Sequence, residues 1–323
     1  MIRRLLGDVP AWAQANSPVL RYEMQKQQTS NTFSIRLASA AGQVLFVILF
    51  LSLSVLMATR LFTQPAGVNR TQALWHILYL PTIGVQVLLS AILLLIGGST
   101  VSAERRRQTW DHLRVTTTGA ELLLHVRLLA VFYRVRLLFA LAFAARFAIV
   151  ATILIEISSH HGDYLTMLVG QASSSVSPIV GILLMAAAIT AAFMMPFTQA
   201  ALDVALSLLL TTAIPHYPWS VMSQMALVMA RVLSTISLSL LGLTLLGGAA
   251  LPAPLAWVGL VGAIIGGDQG LLIMQITQAS AVWRVLPYGV FIGGVALILT
   301  LIQAGFAAFV LRLAVRRAEH TEG

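Results

Sequence analysis

Residues 102–130 read SAERRRQTWDHLRVTTTGAELLLHVRLLA and open with the most charged run in a very apolar chain. Four arginines (Arg105, Arg106, Arg107 and Arg114) and two acids (Glu104 and Asp111) stand between two long hydrophobic segments. Lipid tails cannot receive them, because a charge at the bilayer centre costs roughly 2.5–3.5 kcal/mol on insertion scales. The charged run therefore belongs at an aqueous face, and the apolar segments on either side belong in the bilayer. Ser102 is able to cap a helix, and Glu104 then falls in its first turn, where negative charge suits the helix dipole. Arg107 and Asp111 are four apart and pair along such a helix. Trp110 and Leu113 share another face, and Trp with Arg is a common pair of interface anchors. One reading is a short cytoplasmic helix that docks on another protein. The other is a basic loop that only sets topology, with Trp110 sunk among the headgroups.

Working outward, composition fixes the class. The chain is 58% hydrophobic and 10% charged, whereas a soluble domain carries roughly a quarter charged residues. Its mean hydropathy is +0.88. The net charge of +9 is almost wholly arginine, since Lys26 is the only lysine. Arginine gathers on the cytoplasmic side of membrane spans, and no compact basic domain is present to bind nucleic acid. The chain has no cysteine, which excludes disulfides, thiolate metal sites and Cys nucleophiles. A GxxxxGK[ST] phosphate loop needs a lysine after glycine, and Lys26 follows Gln25; no HExxH or GxSxG occurs either. Neither catalysis nor a bound cofactor or metal is expected of this chain, and His160, His161 and Asp163 are read as solvated.

A spanning helix needs about 20 mostly apolar residues. The expected fold is all-α and polytopic, with six spans at 37–58, 74–98, 137–157, 178–198, 221–246 and 287–311. Residues 1–36 form a basic N-terminal segment. Its Ser17-Pro18 pair is a helix start, and the partly apolar face that follows suits a helix lying in the membrane interface. The opening residues MIRRLLGDVPAWAQ lack the apolar core of a cleavable signal. The run from Leu122 to Ile157 is too long for one span. It divides into an amphipathic helix over 121–136, with arginines reaching the headgroups, and the third span. Residues 255–265 are too short to cross. Residues 312–323 are a basic tail. Six spans put the N-terminus, the charged stretch and the tail on one side, which the arginines make cytoplasmic. Arg146, Asp203 and Arg231 are then charges within or near the membrane. They form either a polar transport path or an intramembrane ion pair such as Asp203 with Arg231.

Two segments resemble the membrane subunit of an ABC transporter of the ABC-2 (type V exporter) kind. Ser17-Pro18-Val19-Leu20-Arg21-Tyr22-Glu23-Met24 is similar to that family's NPVLxxE segment, which leads into an interfacial connecting helix. Glu104-Arg105-Arg106-Arg107-Gln108-Thr109-Trp110-Asp111-His112-Leu113 resembles its ExExGTxDxL element, which follows the second span. Ser17 replaces the family's asparagine, Arg106 an acid, Gln108 a glycine, Thr117 a proline and Arg127 a lysine. The resemblance implies that 102–130 is a coupling region between spans 2 and 3. Glu104, Arg105, Arg106, Arg107, Thr109, Trp110, Asp111 and Leu113 would then meet separate ATP-hydrolysing subunits that carry ATP and Mg. It also implies a second permease chain, identical or related, and a multi-pass place in a prokaryotic plasma (inner) membrane with both termini cytoplasmic. Export is the family's usual direction. Two other functions fit the same composition: a non-transporting anchor or scaffold in a larger membrane complex, and a secondary transporter. The latter usually carries acids or broken helices at the midplane, where this chain has mainly arginines.

Overall fold

A computed structural model of the chain describes Leu20 and residues 82–98, 119–159, 177–214, 216–246, 252–267 and 291–320. The described residues are helical, and no strand occurs among them. The helices are α1 (Thr82–Gly98), α2 (Gly119–Arg134), α3 (Arg136–Ser159), α4 (Pro178–Ala213), α5 (Tyr217–Leu246), α6 (Ala253–Gly267) and α7 (Ile292–His320). The expected first span at 37–58, the charged run at 102–115 and His160, His161 and Asp163 lie outside the described residues.

Three stretches are long and apolar enough to cross a bilayer: Ile179–Ala213, Pro218–Leu241 and Ile292–Glu319. The α2–α3 pair, bent by 60° at Val135, makes a fourth if it is one broken span. The described elements are all helical and consistent with a multi-pass membrane protein. The surface agrees, since large apolar side chains such as Phe147, Leu183, Met222, Val258 and Ile302 are exposed.

The longest helix organises the others. Ser177 caps α4, with its hydroxyl accepting from the Val180 amide at 3.5 Å, and Pro178 opens the helix where its missing N–H costs nothing. The expected span ended at 198, close after Pro196. Instead α4 runs through Pro196 to Ala213, 36 residues in all. It stops because Pro215 pushes the preceding residue out of the helical region, and Ile214 is extended at φ −105°, ψ 108°. At 1.5 Å per residue α4 is about 54 Å long, well beyond a hydrocarbon core of about 30 Å.

Contacts fix the direction of each neighbour. Residues of α1 meet residues 113 positions later on α4, at Gln86–Gln199 and at Leu94–Ser207, so the two helices are parallel. On α7, Gly293 abuts Leu184 and Ala188 while Gln303 meets Thr198, so α7 is parallel to α4 as well. Phe139 stacks on Phe197, Phe143 tilts against the same ring, and Phe147 reaches back to Phe193, so α3 is antiparallel. Gln224 meets Ser207 and Arg231 meets Asp203, so α5 is antiparallel too. Among α1, α3, α4, α5 and α7, directions therefore alternate in chain order. The exits of α1, α4 and α7 share one end. Arg312, Arg316 and Arg317 lie there, in the last turns of α7.

The core gathers along α4. Leu93 of α1, Leu124 and Val131 of α2, Val204 and Leu208 of α4, and Ala314 of α7 form one buried cluster. A smaller cluster joins Leu20 to Val126 and Ala130 on the other side of α2. Arg127 lies between these two buried sides of α2 and is only 1% exposed. That corrects the expectation that it reaches the headgroups. The amphipathic reading gave α2 one apolar face, whereas the helix is covered on two.

Candidate functional site

Polar residues recur every four positions on α1 (Thr82, Gln86, Ser90) and on α4 (Gln199, Asp203, Ser207, Thr211), and all are buried. Four-residue spacing puts them in one row on each helix. The constant offset brings the rows face to face as a seam. Gln86 Nε2 donates to Gln199 Oε1 at 2.6 Å. The Ser90 hydroxyl hydrogen-bonds the Asp203 carboxylate. Ser207 Oγ donates to the Leu94 carbonyl at 2.7 Å. Buried polar groups cost little only when paired, and pairing across the helices achieves that here. Other buried hydroxyls fold back on their own helix: Thr211 reaches the Ser207 carbonyl and Thr300 the Ala296 carbonyl. Those need no partner helix and mark no site.

Three charged or amide side chains join the seam from α3 and α5. Arg146 of α3, fully buried, donates through Nη2 to Gln86 Oε1 at 3.4 Å. Arg231 of α5 stands with Nε 3.3 Å from Asp203 Oδ1. The contact is an ion pair outside aligned hydrogen-bond geometry, and Asp203 Oδ2 accepts no hydrogen bond among the described residues. Gln224 Nε2 donates to Ser207 Oγ at 2.7 Å. The arrangement thus brings Asp203 together with Arg231 and sets Arg146 apart on the Gln86–Gln199 pair.

Register along α4 gives each charge a depth. Asp203 stands about 38 Å from the start of α4, farther than a hydrocarbon core of about 30 Å. Thr198 is level with Gln303, so Asp203 lies about one turn short of Arg312. The Asp203–Arg231 pair is thereby near the basic end of the bundle, where Arg231, 21% exposed, can reach headgroups and water. Arg146 belongs deeper, level with the Phe143–Phe193–Phe197 rings, and is enclosed by protein. The seam is filled by interhelical contact. A cavity of about 500 Å³ lies elsewhere, between α2, α4 and α7, with a mainly apolar lining that includes Phe132, Phe197, Ala304 and Leu311.

Glu104, Arg105, Arg106, Arg107, Thr109, Trp110, Asp111 and Leu113 lie outside the described residues. Both flanks of that stretch are described. Gly98 ends α1 against Gln224, and Gly119 begins α2, against which Leu20 is buried. Among the described residues no group of three His, Cys, Asp or Glu could hold a metal ion. The seam residues Gln86, Ser90, Gln199, Ser207 and Gln224 were not anticipated from sequence. For Gln86, Ser90, Gln199 and Ser207 the signal was the four-residue spacing, and ending the fourth span at 198 concealed its α4 half. Comparisons of the chain with models of known families, with curated proteins and with solved structures find no match.

Proposed function

We propose that this chain is the permease subunit of an ABC transporter of the ABC-2 kind, an exporter working with separate ATP-hydrolysing subunits. The observation that carries the reading is the burial of Leu20 against Val126 and Ala130. Leu20 belongs to the segment resembling the family's amino-terminal motif, and α2 continues the segment resembling its coupling element. Leu20 thus packs on the helix that follows the second resembling segment. The shared end of α1 and α7 supports it further, because the charged run then leaves the bilayer beside a basic tail, as the positive-inside tendency requires of a cytoplasmic face. ATP and Mg would be held by the partner subunits. Glu104, Thr109, Trp110, Asp111 and Leu113 would enter the partner's groove, with Arg105 to Arg107 as a basic rim. A second permease chain has an apolar surface available to it, since Met222, Met225, Met229, Leu233, Ile236 and Leu240 form an exposed stripe along α5. Arg146, Asp203 and Arg231 read as structural charges, because each is engaged within the seam. The proteins that co-purify from inner membranes in mild detergent test the reading. An ATPase is expected with the natural chain and is expected to be lost when Trp110 and Leu113 are both replaced by alanine. Unchanged co-purification of the double variant would remove the assigned contact.

A further inference from the structure

The end of α1 is fastened to two other helices at once. Ser207 Oγ donates to the Leu94 carbonyl and accepts from Gln224 Nε2, both at 2.7 Å, so one hydroxyl ties α1, α4 and α5 together. Gln224 Nε2 also approaches the Leu94 carbonyl at 3.5 Å. Two glycines permit this closeness. A Cβ at Gly98 would overlap the Gln224 carboxamide, and one at Gly97 would press on Ser207 Oγ at 3.1 Å. One turn away a second fastening repeats the pattern, with Ser90 on Asp203 and Asp203 paired with Arg231. The other flank of the charged run is built differently. There α2 meets α3 at a 60° bend, with Phe132 stacked on Phe139 across it.

We propose that the Leu94–Ser207–Gln224 junction welds the end of α1 to α4 and α5. Displacement of the charged run beyond Gly98 then moves these three helices as one body, and the α2–α3 bend takes up the difference. Two fastenings about 6 Å apart along the helix resist rotation as well as sliding, which one bond would not. At the bend the Val135 amide still donates to the Val131 carbonyl and the Phe139 amide to the Val135 carbonyl. It therefore opens or closes about a continuous backbone, with the Phe132–Phe139 stack across it where the weld has interhelical polar bonds. The direction of the displacement rests on the proposed ATPase partnership; the weld itself does not.

The chain lacks cysteine, so spin labels attach only where cysteines are introduced. One pair, Leu88→Cys with Ala226→Cys, reports α1 against α5 from their exposed faces. A second pair, Leu88→Cys with Leu137→Cys, reports α1 against α3. Distances are measured on the full chain in lipid nanodiscs, alone and as the complex isolated from membranes, with and without ATP and vanadate. The α1–α5 distance is expected to be narrow and unmoved by nucleotide, while the α1–α3 distance shifts. Ser207→Ala with Gln224→Leu is expected to broaden the α1–α5 distribution in the chain alone, and Ser207→Thr, which keeps the hydroxyl, to leave it narrow. Gly98→Ala reaches the same junction without removing a polar group and is expected to broaden it too. A nucleotide-driven change in α1–α5, or a distribution left narrow by both Ser207→Ala/Gln224→Leu and Gly98→Ala, overturns the weld. Failure of any ATPase to co-purify would sink the proposed function instead, and the widths measured on the chain alone would still decide the weld.

Discussion

Two sides of α4 are held by different means. Toward α1 and α5 it presents amides, hydroxyls and a carboxylate, each meeting a partner in register. Toward α7 it presents mainly small and apolar residues, with a hydrogen bond from the Thr198 hydroxyl to Gln303 Oε1, and the helices close because Gly293 has no side chain to hold off the Leu184 carbonyl. Lipid removes the hydrophobic drive between helices, leaving close packing and interhelical hydrogen bonds to hold them. The α7 side relies mainly on the first and the α1–α5 side adds the second. The first depends on shape over a long contact; the second concentrates specificity in a few atoms. The comparison is broken most directly at its charges. Arg231→Leu would strand Asp203, 1% exposed, with Ser90 as its remaining partner. Loss of one partner of a buried pair costs about 3 kcal/mol or more. Asp203→Leu leaves Arg231, which is partly exposed and able to reach water, and should cost about 1 kcal/mol. Thermal unfolding in mild detergent reads both, and equal losses would mean that Asp203 is not enclosed.

The packed side is sharpened by its glycines. Gly293→Ala sets a methyl group against a backbone carbonyl that cannot turn aside, and overpacking of this kind costs about 2 kcal/mol. Gly305 lies on the same helix, and a Cβ there would meet nothing within 4 Å. Gly305→Ala should therefore show only the gain in helix propensity, up to about 1 kcal/mol of stabilisation. Opposite signs in the same unfolding measurement are the expected result. A loss at both would show that α7 is intolerant throughout and that its approach to α4 is not local to Gly293.

Much of this was legible in the sequence. The all-helical character, the apolar runs and the basic exit of the last helix follow from composition, length and arginine placement. The division of the 122–157 run is forced by its length, since one simple span cannot use it. What was not legible has a common cause. The expected span of 178–198 stops just past Pro196, yet a proline removes only one amide and clashes with one carbonyl, and the packing of α7 and α3 along both sides of α4 holds the helix together through it. Ending the helix there hid the row Gln199, Asp203, Ser207, Thr211. Arg127 misled for a related reason: an arginine on an apolar helix looks like a snorkelling residue until the helix is seen to be covered twice.

The smallest effect tests whether the hydrogen-bonded side is additive. Gln86 and Gln199 are bonded at 2.6 Å, and Arg146 donates to the same Gln86 side chain. Gln86→Leu removes an acceptor from a buried guanidinium as well as a donor to Gln199, whereas Gln199→Leu leaves the Gln86–Arg146 contact in place. Gln86→Leu should therefore cost more, by about 1 kcal/mol, the usual penalty for leaving a buried polar group with less than its complement. If the amides act chiefly on each other, the double variant costs less than the two singles together, with a coupling of about 0.6 kcal/mol as for other interhelical bonds in membranes. Additive losses would mean that the two amides do not depend on each other and that each is held by its other surroundings. The register between α1 and α4 would then lean more on Ser90–Asp203 and Leu94–Ser207, both nearer the basic end of the bundle.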